Sequence, residues 1–232
     1  MSTPPVQQLV LDVGIKPEPT LANFLAGPNL QALEHLRLWL GPPGASRRSP
    51  VPTYLWGPPG CGKTHLLAAL RTALAHQGQG VGWLDAGTPL GQAFDPDWAA
   101  VLLDDVQDYE PARQQQAFAW FVQAQTATIA VLAGGRVPPA DLALRDDLRS
   151  RLGWGTVFAL QPLNDDQRRT VLRDNARARG LRLSDEVLAY LLHRFSRDLG
   201  SLVALLDLLD GYALQTHRPI SIALIKSMLE SS

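Results

Sequence analysis

The residues with the clearest chemical potential in this sequence form the glycine-rich stretch GPPGCGKT at positions 57–64. The stretch matches the pattern G-x-x-x-x-G-K-[ST] and lies between an apolar run and a helix-like segment, the context in which backbone N–H groups encircle a phosphate. Lys63 would supply a mobile ammonium for the β- and γ-phosphates, and the Thr64 hydroxyl could ligate Mg²⁺. The alternative is an ordinary glycine turn with a solvated lysine, which both flanks disfavour. The expected nucleotide-binding residues are Gly57, Pro58, Pro59, Gly60, Cys61, Gly62, Lys63, Thr64 and His65.

Two carboxylates follow a fully apolar run later in the chain. Residues 100–105 read Ala-Val-Leu-Leu-Asp-Asp, and in a parallel sheet such a run places Asp104 and Asp105 at the carboxyl edge, beside the phosphate loop. We expect Asp104 to hold Mg²⁺ together with Thr64, and Asp105 to orient a water. The simpler interpretation is a strand followed by an aspartate turn, but the upstream loop favours nucleotide chemistry.

Strand-like runs alternate with helical patterns around these motifs. This alternation predicts an α/β architecture, in which helices flank a parallel sheet. The sequence beyond it is helical, which predicts a small all-α domain. We expect a tail over residues 1–19, a nucleotide-binding α/β domain over 20–162 and a helical domain over 163–232. The strand-like runs are 54–56, 81–85, 100–105, 128–132 and 156–160.

Capping residues set the expected helix boundaries. Asn29 is typical of an N-cap and predicts a helix of about ten residues. Residues 133–136 are expected to form a loop after the strand at 128–132, and Pro111 to open the next helix. The first helix should bury an apolar face made of Leu30, Leu33, Leu36, Leu38 and Trp39. Later caps are expected at Asn164, Ser184 and Ser196 for helix starts and at Gly180 for a helix end.

The composition is that of a globular protein, because 46% of the 232 residues are hydrophobic and 19% are charged. The one cysteine, Cys61, excludes an internal disulfide and is expected to serve as a small loop residue. We expect the His65 side chain to lie on a helix surface rather than to bind a ligand. No apolar stretch reaches the roughly 20 residues of a membrane span and the N-terminus does not resemble a signal peptide, which predicts a cytoplasmic protein without a membrane partner. The formal charge of −1 gives no global attraction to nucleic acid.

The proline-rich N-terminal tail contains one apolar island, at residues 8–13, with the sequence QLVLDV. The prolines on both sides disfavour a helix and predict an extended segment. An extended apolar segment of this kind either adds an edge strand to the domain or binds a partner, and the pattern alone does not separate the two.

Three motifs, in this order, resemble those of the AAA+ NTPases, and within them the DnaA family with its shorter Hda branch. They are the phosphate loop with its flanks at 56–66, the strand end LDDVQ at 103–107 and the box LRSRLGWG at 148–155. The resemblance covers the chain from about Thr20 onward, and the order of the motifs is far more specific than any one of them. It implies the AAA+ fold followed by a helical lid.

The resemblance also implies partners. Arg151 matches the family's arginine finger, which is offered in trans to the nucleotide of a neighbouring AAA+ protein; the simple alternative is a solvated arginine at a helix end. Gln8, Leu9 and Leu11 match the clamp-binding motif of the Hda branch, whose members also end after the lid. The implied partners are the DnaA initiator and the sliding clamp, the β subunit of DNA polymerase III. DNA would be contacted only through the clamp, and homo-oligomerisation is left open.

A negative regulator of replication initiation is the function that the resemblance implies, acting mainly as an activator of ATP hydrolysis by DnaA. Two departures from the family imply weak hydrolysis by this chain itself. Gly134-Gly135 stands where the family has a polar sensor residue, and Gly200 stands at the position of the lid's sensor arginine. The expected ligand is therefore ADP, or slowly hydrolysed ATP, with Mg²⁺.

Two alternatives remain open on the sequence. One is a DNA-acting ATPase of the DnaA or helicase-loader type, supported by Arg169, Arg173 and Arg177 on one predicted helix face. The other is a clamp-tethered adaptor with a vestigial nucleotide site.

Overall fold

The computed structural model describes residues 18–42, 48–195, 199–216 and 219–230. The described residues form two compact units, one over Glu18–Pro162 and one within Leu163–Ser232. The expected clamp-binding residues Gln8, Leu9 and Leu11 lie outside the described residues, as does the expected cap Ser196. None of the helices within the described ranges is long and apolar enough to cross a membrane.

The first unit is built on five short strands, β1 (Thr53–Trp56), β2 (Val81–Leu84), β3 (Ala100–Leu103), β4 (Ala130–Gly135) and β5 (Thr156–Ala159). Their order across the sheet is β2-β3-β4-β1-β5, and every neighbouring pair is parallel. The predicted α/β class is therefore confirmed. Because β1 lies between β4 and β5, the loop that leaves β1 lies beside the carboxyl ends of both neighbours.

Helices cover both faces of this sheet. They are α1 (Leu30–Leu40), α2 (Lys63–His76), α3 (Pro111–Thr126) and α4 (Asp146–Leu152). Alternate residues of β3 point to opposite faces. Val101 and Leu103 join the core that contains residues of α3 and α4, whereas Ala100 and Leu102 join the core that contains residues of α1 and α2. Burial on both faces explains why the strand reads as a continuous apolar run rather than an alternating one.

Strand β4 differs from the sequence-based prediction, which placed a strand over 128–132 and a loop over 133–136. The strand covers Ala130–Gly135, and Thr128 has a φ of 59°, a left-handed conformation that belongs to the turn after α3. Gly134 and Gly135 pair with β1. Glycine disfavours strands locally, but here pairing between neighbouring strands overrides that preference.

Asn29 precedes α1 as predicted, but its side chain does not cap the helix. The amide is buried and bridges to the backbone of Gln161: Asn29 Nδ2 donates to the carbonyl oxygen at 2.8 Å, and Asn29 Oδ1 accepts from the N–H at 2.8 Å. The predicted apolar face of α1 is only partly right, because Leu30 and Leu38 are exposed. Asn29 therefore fixes the start of α1 to the segment that follows β5.

The second unit consists of four helices, α5 (Asp165–Ala178), α6 (Asp185–Arg194), α7 (Leu199–Thr216) and α8 (Ile222–Glu230). Asn164 begins α5 with a capping box, in which its side chain accepts from the Gln167 N–H at 2.8 Å. Ser184 caps α6, and Gly180, with a φ of 76°, follows the end of α5. Apolar residues of all four helices form one core cluster, so the helical lid is confirmed.

Candidate functional site

The glycine-rich loop connects the end of β1 to the start of α2, and two of its glycines permit close approaches. Gly57 has a φ of 156°, and a Cβ there would lie 2.2 Å from the Leu160 carbonyl oxygen. Gly62 has a φ of 98°, and a Cβ there would lie 2.5 Å from the Phe24 ring. Both the backbone conformation and the contacts therefore require glycine. The Gly57 N–H also donates to the Gly135 carbonyl oxygen at 3.2 Å, which ties the loop to β4.

Lys63 opens α2, and its buried side chain turns into the loop. Its Nζ donates to the carbonyl oxygens of Gly57 at 2.8 Å and Pro58 at 3.2 Å, and lies 3.7 Å from the Cys61 sulfur. The first N–H groups of a helix have no acceptor within the helix, and its N-terminus favours an anion. The loop, the ammonium and the helix start thus provide the donors and the positive charge that a phosphate site needs.

Asp104 follows β3 and is buried beside α2. Burial is the largest effect on its carboxyl group and raises the pKa of Asp104, while a hydrogen bond with the Thr64 side chain and the nearby Lys63 ammonium oppose the shift. Asp104 Oδ1 is buried and lacks a hydrogen-bond partner among the described residues. A buried oxygen in this state is costly unless a ligand supplies the missing partner.

The donor set around Asp104 fits Mg²⁺. This cation usually takes one or two carboxylates and completes its shell with water and substrate phosphates, and the Asp104 carboxylate with the Thr64 hydroxyl matches that pattern. Within the described ranges no cluster of three His, Cys, Asp or Glu side chains could hold a metal by itself. A cation at this place would therefore complete its shell with water or with the phosphate oxygens of a bound nucleotide.

Asp105, the expected water-orienting residue, has a left-handed backbone with φ 48° and ψ 49°. Its Oδ1 accepts from Gln107 Nε2 at 3.1 Å, and Gln107 Oε1 accepts from the Arg136 N–H at 3.0 Å. The carboxylate is thereby held within the loop after β3 and linked to the end of β4. Its catalytic role stays a prediction.

Gly135, one of the two glycines expected at a sensor position, has no space for a side chain. A Cβ there would lie 2.1 Å from the Tyr54 hydroxyl oxygen and 3.2 Å from Val106. The same hydroxyl donates to the Val137 carbonyl oxygen at 2.9 Å, and burial raises the pKa of Tyr54. Tyr54 of β1 thus fills the volume that a side chain on residue 135 would need.

The His65 ring contacts the segment before α1. Its Nε2 lies 3.1 Å from the Thr20 carbonyl oxygen, and its ring centroid is 5.7 Å from that of Phe24. Phe24 also packs against Gly62, so this segment lies along the phosphate loop. Neither contact was predicted from the sequence, because nothing in the local pattern links residues about forty positions apart.

Arg151 lies in the last turn of α4 and contacts α3. Its Nη1 donates to Gln125 Oε1 at 2.6 Å, and its guanidinium carbon is 5.3 Å from the centroid of the Phe118 ring, a cation–π contact. The structure therefore places Arg151 against α3, while Lys63, Thr64 and Asp104 come together at the start of α2. The contacts of Arg151 with Gln125 and Phe118 were not predicted from the sequence. The role of Arg151 as an arginine finger stays a prediction.

The charge of Arg151 is less neutralised than that of the two neighbouring arginines. Arg145 makes two bonds to Asp147 at 2.6 and 2.7 Å, and Arg149 pairs with Asp146 at 2.6 Å. Arg151 has no carboxylate partner among the described residues, and its partner Gln125 is neutral. It borders an open cleft of about 470 Å³ that is lined by Gln125, Asp147, Ser150, Arg151 and Trp154. The positive charge thus remains available to an external anion.

The arginine stripe of the alternative DNA-acting interpretation lies on α5, as predicted. However, Arg173 pairs with Asp185, and Arg177 lies 3.9 Å from a carboxylate oxygen of Asp174. Carboxylates therefore compensate part of the positive charge on this face, which weakens the case for a DNA-binding surface.

Comparison with known proteins identifies relatives along the whole chain. Residues 165–229 match the family model described as the lid domain of Hda. An uncharacterised protein of Haemophilus influenzae is 32% identical to this chain over an alignment of 237 residues. The alignment covers 96% of this chain and 98% of that relative.

Solved structures share the fold. Domain III of the replication initiation protein DnaA from Thermotoga maritima has a TM-score of 0.68 at 21% identity, covering 94% of this chain and 98% of that one. AMPPCP-bound DnaA from Aquifex aeolicus has a TM-score of 0.62 at 25% identity, covering 83% of this chain and 66% of that one. The AAA+ fold is thereby confirmed.

Proposed function

The chain belongs to the Hda-like family of DnaA-related AAA+ proteins, and from this premise we propose that it is a negative regulator of replication initiation. It acts by stimulating hydrolysis of the ATP bound to the DnaA initiator. The observation that carries this proposal is the state of Arg151: a guanidinium on an open cleft, held by the neutral Gln125 and without a carboxylate partner among the described residues. A cation in this setting is suited to meet the phosphates of a second protein.

The chain's own nucleotide would be ADP, or ATP that it hydrolyses slowly. Lys63 and the start of α2 would contact the phosphates, and Thr64 with Asp104 would hold Mg²⁺, which neutralises phosphate charge when bound. The AMPPCP complex of the Aquifex aeolicus relative supports nucleotide binding by this fold. Weak hydrolysis is supported by Gly134, which faces the site but carries no polar side chain: a Cβ there would lie 3.2 Å from Asp104 Oδ1 and 3.5 Å from Lys63 Cβ.

In the proposed mechanism, Arg151 acts on the partner's nucleotide. As a water held by the partner attacks the γ-phosphorus, the bond to the bridging oxygen breaks and negative charge develops on the γ-phosphoryl and the leaving oxygen. A guanidinium placed against these oxygens stabilises the transition state more than the ground state. In GTPases, an arginine supplied in this way accelerates hydrolysis by roughly 10³–10⁵-fold.

Gln125 and Phe118 would support this step by limiting the rotamers of Arg151 before docking. The hydrogen bond of 2.6 Å and the cation–π contact with Phe118 hold the guanidinium against α3. A side chain that is already ordered loses less entropy when its partner arrives.

The sliding clamp would bring the protein to DNA. Gln8, Leu9 and Leu11 would bind it as an extended segment whose leucines enter an apolar pocket. Such a segment gives modest affinity, but tethering on DNA raises the effective concentration of the chain near the initiator.

The decisive experiment measures hydrolysis of initiator-bound ATP with DNA-loaded clamp and this protein. We expect Arg151→Ala to lower the stimulated rate by about 10³-fold, and Arg151→Lys to recover little, because an ammonium lacks the planar fork of donors. Arg149→Ala is the matched control two residues away, and it should leave stimulation intact. Loss of stimulation in Arg149→Ala but not in Arg151→Ala would show that the wrong arginine was assigned. Full stimulation by both variants would refute the trans mechanism.

A further inference from the structure

Trp154 is the most conspicuous apolar side chain on the surface of the first unit. It is 70% exposed, whereas the other five tryptophans of the chain are buried or half-buried. Leaving so much aromatic surface in water forgoes a large hydrophobic gain, and tryptophan is enriched among residues that dominate the energy of protein interfaces.

The backbone around Trp154 is held on both sides. The Trp154 N–H donates to the Arg151 carbonyl oxygen at 3.2 Å, and the Thr156 N–H donates to the Pro52 carbonyl oxygen at 2.9 Å. Between them, Gly155 approaches Pro52 so closely that a Cβ there would lie 1.9 Å from the same oxygen. The exposed ring is therefore mounted on a fixed backbone, which reduces the entropy lost when a partner covers it.

The ring forms one wall of an apolar groove of about 380 Å³. The groove is lined by Pro50, Val51, Pro52, Gln125, Thr128 and Trp154. Val51, in the segment that precedes β1, is 49% exposed. The lining consists of one aromatic ring, three aliphatic side chains and two uncharged polar ones, so it fits an apolar side chain of a partner rather than a charged one.

This groove is adjacent to the cleft of Arg151. Gln125 and Trp154 line both, and Gln125 also accepts the hydrogen bond from Arg151. A protein partner that places an anionic phosphate against Arg151 would therefore bring its surface next to the groove. The positive charge of Arg151 in the cleft would complement the phosphate, and the apolar groove would complement an apolar side chain of the same partner.

We infer that this groove is the docking anchor for the ATP-bound AAA+ partner, an inference that rests on the function proposed above. Trp154 and Val51 contribute affinity for the partner protein, whereas Arg151 accelerates hydrolysis of the partner's nucleotide. The surface thus divides binding and catalysis between neighbouring residues, and the two contributions are separable by kinetics.

The test is a single-turnover titration, in which hydrolysis of initiator-bound ATP is followed at increasing concentrations of this protein with DNA-loaded clamp. Trp154→Ala should raise the half-saturating concentration about thirtyfold, the change that corresponds to a hot-spot residue of about 2 kcal/mol, and should leave the maximal rate within about twofold. Val51→Asp, on the other wall, should shift the half-saturating concentration in the same direction. Leu38→Ala is the control, since Leu38 is 82% exposed on α1 and outside the groove.

Arg151→Ala distinguishes the inference from the proposed function. This variant should bind the ATP-bound initiator and compete with the wild-type chain, with an inhibition constant near the wild-type half-saturating concentration. The double variant Arg151→Ala, Trp154→Ala should compete more weakly. If Arg151→Ala keeps the full maximal rate, the proposed function fails. If Arg151→Ala loses the rate but Trp154→Ala and Val51→Asp keep the wild-type half-saturation, the docking inference alone is overturned.

The alternative occupant of the groove is a second copy of this chain. Measuring the mass of the protein in solution tests this alternative. Sedimentation of the full chain should give the same mass for the wild type and Trp154→Ala over the titration range. A loss of self-association in Trp154→Ala with unchanged half-saturation would assign the groove to a second copy and overturn the inference. Thermal unfolding of each variant near the wild-type midpoint confirms that the shifts come from the surface and not from misfolding.

Discussion

Two buried charged side chains, Lys63 and Asp104, lie near each other at the start of α2. Lys63 is bonded to carbonyl oxygens of its own loop, and Asp104 keeps one oxygen without a partner among the described residues. Burial raises the pKa of Asp104, which expresses the cost of holding its charge away from water. Phosphates and a divalent cation would supply better partners for both residues, so a ligand should stabilise the fold.

We therefore expect ADP with Mg²⁺ to raise the free energy of unfolding. A ligand present at a hundred times its dissociation constant should add about 2.7 kcal/mol, because it binds only the folded state. Lys63→Ala should remove this increment. Thermal unfolding over a series of ADP concentrations measures the effect, with Arg71→Ala, on the same helix and outside the loop, as the control. A wild-type midpoint independent of ADP would contradict nucleotide binding.

The contact between Tyr54 and Gly135 predicts a coupling between two positions. Gly135→Ala should lower the free energy of unfolding by about 1–3 kcal/mol, the usual cost of overpacking, because the new Cβ meets the Tyr54 hydroxyl. Tyr54→Phe removes that oxygen and leaves the ring carbon at 3.1 Å. The free energy of unfolding of the double variant should therefore be about 1 kcal/mol higher than the sum of the two single effects predicts.

Urea unfolding of the four proteins completes this cycle. Gly211→Ala in α7 provides the control, since a Cβ there meets no atom within 4 Å, and it should stabilise the chain by up to about 1 kcal/mol through helix propensity. Strict additivity between positions 54 and 135 would show that the steric explanation is wrong.

At the scale of elements, the turn after β2 depends on one carboxylate. Asp85 Oδ1 accepts from the N–H groups of Gly87 at 2.9 Å and Thr88 at 2.8 Å, and its Oδ2 accepts from Trp83 Nε1 at 2.8 Å. Burial alone would raise the pKa of Asp85, but the hydrogen bonds from Trp83, Thr88 and Gly87 outweigh it and lower the pKa. The charged form thus stabilises the end of β2 and the start of the following loop.

This turn predicts a pH-dependent effect of Asp85→Asn. Because the pKa of Asp85 is lower in the folded state than its unfolded value of about 3.9, its stabilisation is complete above that value and is lost as the pH falls through the folded pKa. The variant should lose about 1 kcal/mol of unfolding free energy at pH 7, and the difference from the wild type should shrink below pH 4. Urea unfolding from pH 7 to pH 3 measures it, with Asp97→Asn as an exposed control. A gap that is constant over this range would contradict the charge-based account.

The elements that could be predicted from the sequence are those with a strong local signal. The apolar run before Asp104, the glycine loop before Lys63 and the capping box at Asn164 each specify an element within a few residues. The contacts that escaped prediction join distant positions: Asn29 meets Gln161 across 132 residues, and Arg151 meets Gln125 across 26. Local periodicity indicates which face of a helix is buried, but it carries no information on the partner that buries it. For the same reason β4 was misplaced, since its glycines are fixed by pairing with β1.

For the whole molecule, the charge distribution argues against direct binding to DNA. The net charge is −1, and two arginines of the α5 stripe face carboxylates. We expect the chain alone to bind duplex DNA weakly, with an affinity that hardly changes with salt, because few phosphates would be neutralised. A fluorescence anisotropy titration at several salt concentrations tests this. A steep decrease of the affinity with salt would favour the DNA-acting ATPase instead.

With the clamp present, association with DNA should depend on the tail. Gln8→Ala combined with Leu9→Ala should abolish clamp pull-down and leave the unfolding midpoint unchanged, because few residues of an extended segment carry the contact. Ser2→Ala, upstream in the same tail, is the matched control. Undiminished clamp binding by the double variant would exclude this segment as the clamp ligand.

The fit between Tyr54 and Gly135 also bears on how this protein could change by mutation. A lineage that first replaced Gly135 by a polar residue would pass through an overpacked intermediate with a lower free energy of unfolding. Replacing Tyr54 by phenylalanine first would cost only one hydrogen bond, about 1 kcal/mol. It would also remove the hydroxyl oxygen that a side chain at position 135 meets first. The order of the two substitutions thus decides whether a path to a side chain at position 135 passes only through stable proteins, and Tyr54 closes the direct path.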